Sequence, residues 1–152
     1  MNMEEYPKRK SPRLKGYDYS STNYYFVTVC TKDKKCLFGK PGELNALGKI
    51  VMFAIEMIPD HYLGVKLDQY VVMPNHVHLL LYLPEEIGKL GDIVGGMKSY
   101  ATKQAHKIYP DLIIWQASYH DHIIRDEKGY QNIWLYIESN PVNWKKDCFY
   151  QE

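Results

Sequence analysis

The sequence lacks the features that mark secreted, disulfide-stabilised and membrane-spanning proteins. Its three cysteines are an odd number without C-x-x-C spacing, which indicates reduced thiols rather than a disulfide framework or a zinc ribbon. The N-terminal stretch MNMEEYPKRKSPR has no apolar core of the kind found in signal peptides. The longest apolar helical stretch, residues 50–58, includes Glu56 and is too short to cross a bilayer. These absences predict a cytoplasmic protein with no membrane partner.

Net charge is also small, but the charges are unevenly distributed. The formal net charge of the 152 residues is +1. Residues 1–40 hold nine Lys/Arg against four Asp/Glu, whereas the remainder holds ten against fourteen. We interpret residues 1–22 as a basic N-terminal arm of a single domain spanning 1–152, with Arg9 and Arg13 as candidate phosphate contacts. A solvated terminus without a ligand is the competing interpretation.

Hydrophobic periodicity predicts an alternation of strands and helices. The predicted elements are, in order, a strand over 23–31, a helix over 44–58, strands over 65–72 and 76–83, a helix over 87–108, a strand over 113–125 and a helix over 128–139. The first six follow the β-α-β-β-α-β order of the ferredoxin-like split βαβ fold. We therefore expect an α+β protein with one antiparallel sheet, helices on one face, the other face free, and an additional C-terminal helix.

The predicted strand after Met73-Pro74-Asn75 carries two histidines at alternate positions. Side chains alternate between the two faces of a strand, so Val77 and Leu79 share an apolar face that must meet the core. His76 and His78 then project together from the opposite face, where both imidazoles can reach one metal ion. Two ordinary surface histidines are the alternative interpretation of so short a pattern.

A second alternating pair, His120-Asp121-His122, lies in the last predicted strand. Its middle residue is charged, so no apolar face fixes the orientation of the two rings. We interpret His122 as a candidate DNA contact rather than a metal ligand, with an ordinary surface histidine as the default. Three helical lysines, Lys98, Lys103 and Lys107, are further candidates for tracking phosphates, although a solvated helix face would carry the same residues.

The last predicted helix carries Tyr136 and, four residues later, Asn140. Residues four apart project from one helix face, so this pair combines a potential nucleophile with a carboxamide that can coordinate a metal. The alternative is that Tyr136 packs in the core and Asn140 merely ends the helix before Pro141.

Taken together, these segments resemble the single-tyrosine HUH transposases of insertion sequences, and most closely the REP-associated tyrosine transposases. The resemblance lies in SPRLKGYDYSSTNYYFVTVCT, His76-Val77-His78, MKSYATKQ, WQASYHDHIIRDE and YIESNP, and covers roughly residues 11–144. It implies that Tyr136 is the nucleophile on the C-terminal helix and that His76 and His78 bind metal. It also implies Asn140 as third ligand, where related transposases carry Gln.

The resemblance further implies an enzyme that cleaves and rejoins single-stranded DNA through a 5′-phosphotyrosine, with Mg²⁺ or Mn²⁺ as cofactor. The expected partner is single-stranded or hairpin DNA in a bacterial-type cytosol, at the nucleoid, and a homodimer is compatible with the family. No G-x-x-x-x-G-K-[ST] phosphate loop is present, in agreement with strand rejoining that needs no ATP.

Other protein classes fit the sequence less well. A histidine-triad nucleotide hydrolase needs a third alternate histidine, and Leu80 occupies that position. The aromatic signature of an RNA-recognition module is absent. A replication initiator or relaxase would share the histidine pair but would be longer. A catalytically inactive relative, or a non-enzymatic nucleic-acid-binding module on the same fold, remains as the alternative function.

Overall fold

A computed structural model describes residues 23–84 and 90–151. Short 3-10 turns cover Lys32–Lys34 and Trp144–Lys146. The regular elements are, in chain order, β1 (Tyr24–Cys30), β2 (Gly39–Lys40), β3 (Glu43–Leu44), α1 (Ala46–Glu56), α2 (Ile58–His61), β4 (Lys66–Met73), β5 (His76–Tyr82), α3 (Leu90–Ala105), β6 (His120–Ile124) and α4 (Glu127–Ser139).

The main sheet has four antiparallel strands in the order β4-β5-β1-β6. Strands β4 and β5 form a hairpin through the two-residue link Pro74-Asn75, and β1 lies between β5 and β6. The two strands that follow helices are therefore separated in the sheet from the strands that precede them, as in the split βαβ arrangement. The predicted α+β fold with one antiparallel sheet is confirmed.

The main core lies between one face of this sheet and the helices α1 and α3. Val27 and Val29 of β1 and Val77 and Leu79 of β5 are fully buried in it, together with the apolar faces of the two helices. Gly96 permits the close approach of Tyr62 to α3, since a Cβ atom there would lie 2.4 Å from the tyrosine hydroxyl oxygen. The predicted inward orientation of Val77 and Leu79 is therefore confirmed.

The opposite face of the sheet is covered, so the expectation of a free second face is wrong. Helix α4 packs across it and forms a second, smaller core, whose buried members are Tyr24, Leu80, Ile124, Tyr130 and Ile137. The physical reason is that α4 is amphipathic and has to bury its apolar stripe, while Leu80 provides an apolar partner on the sheet. The candidate histidines therefore lie beneath α4 instead of facing solvent.

Several element boundaries differ from the sequence prediction. The helix predicted over 44–58 begins at Ala46, where the Asn45 side chain accepts a hydrogen bond of 2.8 Å from the Gly48 amide, and α2 restarts at Ile58. The strand predicted over 113–125 is regular only in β6, with one isolated bridge between Thr31 and Trp115. The arm at 1–22 and the predicted helix start at 87 lie outside the described residues. None of the helices described is long and apolar enough to span a membrane.

Truncation of Leu80 tests how much the second core contributes to stability. Leu80 is fully buried between the sheet and α4, so Leu80→Ala should lower the free energy of unfolding by about 2–5 kcal/mol. Urea unfolding followed by circular dichroism measures this loss. Leu63→Ala is the matched control, because Leu63 is 86% exposed and its truncation should change stability by less than about 0.5 kcal/mol. Equal stability of both variants would contradict the packing of α4 described here.

Candidate active site

The two histidines of β5 form the floor of the candidate site. His76 and His78 lie on the same side of the sheet, with ring centroids 4.6 Å apart. His76 is 0% exposed and His78 is 2% exposed. Alternation along β5 fixes this geometry, because the intervening Val77 is anchored in the main core.

Hydrogen bonds at one nitrogen of each ring fix the orientation of the other nitrogen. The Asn75 amide nitrogen donates to the backbone oxygens of Lys34 and Phe149, at 3.1 and 2.8 Å, so its oxygen faces His76 Nδ1 at 2.9 Å. His76 Nδ1 must therefore donate, which leaves the lone pair of the neutral ring on Nε2. His78 Nδ1 lies 2.9 Å from Thr28 Oγ1, which likewise leaves His78 Nε2 directed into the site.

Helix α4 brings Tyr136 and Asn140 to the histidines. The half-buried Tyr136 ring lies 5.5 Å from the His78 ring and 6.1 Å from that of Phe26, measured between centroids. Asn140 caps the helix one turn later and is 2% exposed. Its carboxamide raises the pKa of His76 and lowers the pKa of Tyr136, so it lies near both side chains. The predicted i, i+4 pair therefore does share one helix face.

The segment after α4 folds back over the histidines and contributes Asp147, which the sequence analysis did not identify. The carboxylate Oδ2 lies 3.8 Å from His76 Nε2, and candidate ligand atoms of His76, His78 and Asp147 all lie within 4.8 Å of one another. The Phe149 ring covers His76 at 4.5 Å between centroids. No local pattern in Lys145-Lys146-Asp147-Cys148 indicates a site, since only the fold-back brings it there.

Burial controls the protonation of the site. Desolvation lowers the pKa of His76 to about 4, although Asp147 and Asn140 act in the opposite direction. The pKa of His78 is also lowered, first by burial and then by the neighbouring His76. Both imidazoles are therefore neutral at pH 7, which is the form that binds a metal. Burial, reinforced by Asp147, raises the pKa of the Tyr136 phenol, while Asn140 lowers it.

Four buried side-chain atoms of the residues at this site have no hydrogen-bond partner. They are His76 Nε2, His78 Nε2, Asn140 Oδ1 and Asp147 Oδ2, and among the described residues the other such polar atom is Trp115 Nε1. Buried polar atoms without a partner are costly, and several in one site fit the binding of a cation. Imidazole nitrogens combined with carboxylate and amide oxygens fit a divalent ion such as Mn²⁺ or Mg²⁺.

The histidine pKa values predict a stability loss in acid for the metal-free protein. Because the folded-state pKa of His76 is about 4 and its ordinary value is 6.5, the unfolded chain binds more protons between these values. The contribution of neutral His76 to the free energy of unfolding should be fully present above pH 6.5. The free energy of unfolding should then fall by about 3 kcal/mol as the pH drops to about 4.

Urea unfolding at several pH values with a chelator present measures this slope. His76→Gln should flatten it relative to the wild type, whereas the control His106→Gln, at an exposed histidine, should keep it. A slope unchanged by His76→Gln would contradict the assignment.

Of the candidate phosphate-binding residues, the described ones, Lys98, Lys103 and Lys107, are not brought together with the histidines. Arg9 and Arg13 lie outside the described residues. Lys98 and Lys103 lie on α3, across the main core from His76, and Lys98 Nζ donates to the Gln116 backbone oxygen at 2.8 Å. Lys107 lies two residues after the end of α3. A role for these residues in DNA binding stays a prediction.

His122 does lie on the side of the sheet that carries the site. It pairs with Phe26 across β1 and β6, and His120 pairs with Thr28, which in turn pairs with His78. Directly opposed residues of antiparallel strands share a face, so both H-x-H pairs face the same side. His120 and His122 are exposed on the edge strand, whereas His76 and His78 are buried.

Comparison with known proteins agrees with this arrangement. A family model described as an IS200-like transposase matches residues 18–140. An uncharacterized protein of Haemophilus influenzae is 38% identical over 167 aligned positions, covering 93% of each chain. Another Haemophilus influenzae protein, provisionally named a REP-associated tyrosine transposase, is 28% identical and covers 82% of this chain and 73% of its own.

A solved structure of a REP-associated tyrosine transposase bound to a REP hairpin shares the fold. It matches with a TM-score of 0.65 at 24% identity, over 80% of this chain and 68% of that chain. The family match spans every strand of the main sheet and the whole of α4, and thus His76, His78, Tyr136 and Asn140. Because this match covers far more than half of the sequence, the chain belongs to the IS200-like transposase family.

Proposed function

We propose that this transposase cleaves and rejoins single-stranded DNA, using Tyr136 as nucleophile and His76, His78 and Asn140 to hold a divalent cation. The observation that carries the proposal is the packing of the Tyr136 ring against His78, 5.5 Å apart between centroids, with the buried Asn140 one helical turn after Tyr136. These groups come from a strand and a helix about 60 residues apart in sequence, and apolar packing on both sides of the sheet holds them together.

The reaction is a phosphoryl transfer from DNA to the tyrosine. The Tyr136 hydroxyl oxygen forms a bond to the scissile phosphorus, and the bond from phosphorus to the 3′ oxygen breaks. The phenol proton passes to water, and the departing 3′ oxygen takes up a proton, which leaves a 5′-phosphotyrosine and a free 3′-hydroxyl. When bound, Mg²⁺ or Mn²⁺ would neutralise charge on the scissile phosphate.

The protein's own contribution is to hold and orient the reacting groups. The phenol has a raised pKa, so it is protonated before attack and must lose its proton during it. Phe26 and His78 pack against the Tyr136 ring and restrict its rotation, which favours an oriented attack. The phosphotyrosine conserves the energy of the broken phosphodiester, so a 3′-hydroxyl can reverse the reaction without ATP.

The proposed substrate is a DNA hairpin with a single-stranded flank. A member of the same fold has been solved bound to a REP hairpin, and the exposed His122 beside Phe26 offers a contact at the open edge of the sheet. Arg9, Arg13, Lys98, Lys103 and Lys107 are proposed phosphate contacts outside the site. We propose that the protein acts in the cytosol, at the nucleoid. A homodimer is compatible with this activity.

A cleavage assay tests the proposed function. End-labelled hairpin DNA with a single-stranded flank, taken from repeats near the gene in its own genome, is mixed with protein and Mn²⁺ and run on a denaturing gel. We expect a slow-migrating protein–DNA adduct with this substrate, none with the same sequence as a blunt duplex, and none with chelator. Tight hairpin binding without cleavage would instead favour a non-enzymatic binding module.

Deletion of residues 1–15 tests the basic arm. This deletion removes five basic residues, so it should weaken hairpin binding and reduce the steepness with which affinity falls as salt rises, by roughly one unit per lost phosphate contact. Fluorescence anisotropy over a salt series measures both quantities. A variant with the five basic residues changed to Gln is the matched control for chain length. Unchanged affinity in both variants would leave the arm as a solvated terminus.

A further inference from the structure

Asp147 has no part in the proposed function as stated, yet its carboxylate is buried in the site. Its side chain is 1% exposed, and its Oδ2 lies 3.8 Å from His76 Nε2 without a hydrogen-bond donor. A buried carboxylate oxygen without a partner is among the costliest groups a protein can hold. Its position therefore needs a physical explanation.

Several contacts hold the segment that carries Asp147 in place. The Phe149 backbone amide donates to Asp147 Oδ1 at 2.9 Å, which leaves Oδ2 as the oxygen directed at the histidines. The Phe149 carbonyl accepts from the Asn75 side chain at 2.8 Å, and the Phe149 ring stacks over His76. Asn75 thus orients His76 and anchors the segment that delivers Asp147.

An ion pair between Asp147 and His76 does not explain the contact. The 3.8 Å between Asp147 Oδ2 and His76 Nε2 is too long for a hydrogen bond, and the Asn75 oxygen already accepts from His76 Nδ1. Candidate ligand atoms of His76, His78 and Asp147 lie within 4.8 Å of one another, and the buried Asn140 Oδ1 also has no hydrogen-bond partner. Unpartnered ligand atoms this close together are unfavourable, whereas a shared cation would satisfy them.

We propose that Asp147 is a direct ligand of the divalent cation, so that the ion is held by His76, His78, Asn140 and Asp147 before DNA arrives. This inference rests on the proposed function in one respect, namely that the same two histidines bind the ion. Two imidazoles and an amide are neutral, so Asp147 would be the one anionic ligand of the set. A carboxylate is also the ligand type that Mn²⁺ and Mg²⁺ prefer.

Direct titration with Mn²⁺ tests the role of Asp147 without any DNA or activity. The signal of free Mn²⁺ in electron paramagnetic resonance gives the dissociation constant of wild type, Asp147→Asn and the control Asp111→Asn, which changes an exposed carboxylate remote from the site. We expect Asp147→Asn to weaken Mn²⁺ binding by at least about 10-fold, the lower bound for losing even an outer-shell partner. Asp111→Asn should bind like the wild type, and Asp147→Glu should recover part of the lost affinity.

Two further measurements distinguish failure of the proposed role of Asp147 from failure of the proposed metal site. Pulsed resonance on bound Mn²⁺ should show coupling to histidine nitrogen in both wild type and Asp147→Asn, which establishes that the variant is folded around the same ion. Unchanged affinity in Asp147→Asn, with loss of binding in His76→Gln/His78→Gln, would overturn the role of Asp147 and leave the proposed site intact. Unchanged Mn²⁺ affinity in all variants would overturn the proposed metal site itself.

Discussion

Replacing Tyr136 with phenylalanine is expected to abolish the covalent protein–DNA adduct while leaving the fold and hairpin binding intact. The substitution removes a single oxygen atom and keeps the ring that packs against Phe26 and His78. Removing the activated nucleophile of a serine protease costs about 10⁶-fold in rate. We therefore expect a loss of at least about 10³-fold in adduct formation, because phenylalanine has no hydroxyl that could form the phosphotyrosine.

The measurement is a denaturing gel with labelled hairpin DNA and Mn²⁺, with hairpin affinity determined separately by anisotropy. Tyr100→Phe is the matched control, because Tyr100 is partly buried on α3 against the main core, on the opposite side of the sheet from α4. It should retain the adduct. If Tyr136→Phe still formed the adduct, another residue would be the nucleophile. Cleavage without an adduct in any variant would indicate attack by water.

Replacing both histidines of β5 with glutamine is expected to eliminate metal-dependent cleavage. The two lone pairs at His76 Nε2 and His78 Nε2 are the nitrogen donors at the site, and a bound ion supplies several kcal/mol of stabilisation to the developing charge. A loss of that size corresponds to about 10³-fold or more in rate. Glutamine is preferable to alanine, because both residues are buried and alanine would leave a cavity.

The double variant is compared with His61→Gln/His106→Gln, which removes two exposed imidazoles elsewhere. Single-turnover cleavage rates in Mn²⁺ and circular dichroism are measured for both. Only the variant at β5 should lose cleavage, and its spectrum should match the wild type. Retention of Mn²⁺-dependent cleavage by a folded His76→Gln/His78→Gln variant would show that the ion binds elsewhere.

Much of the site could be predicted from local periodicity. The alternation His76-Val77-His78-Leu79 determines that the two imidazoles share a face, because Val77 and Leu79 can only be buried in the core. The spacing of four between Tyr136 and Asn140 likewise determines that they project from one side of α4. The order of elements was sufficient to predict the antiparallel sheet and its strand arrangement.

Only the tertiary structure determines what these faces of β5 and α4 pack against. Periodicity shows that α4 has an apolar stripe, but it does not show that the stripe packs on Leu80 and closes the sheet face over His76 and His78. Periodicity also places Lys98 and Lys103 on one helix, but it does not show that this helix, α3, lies across the core from the histidines. The chain after α4 folds back and brings Asp147 to His76, which lies 71 positions earlier in the sequence. A hydrogen bond from the Asn75 side chain to the Phe149 backbone oxygen holds this segment in place. A local pattern predicts the direction in which a side chain points, whereas long-range packing determines what it contacts. Burial by that packing is the first cause of the lowered pKa values of His76 and His78.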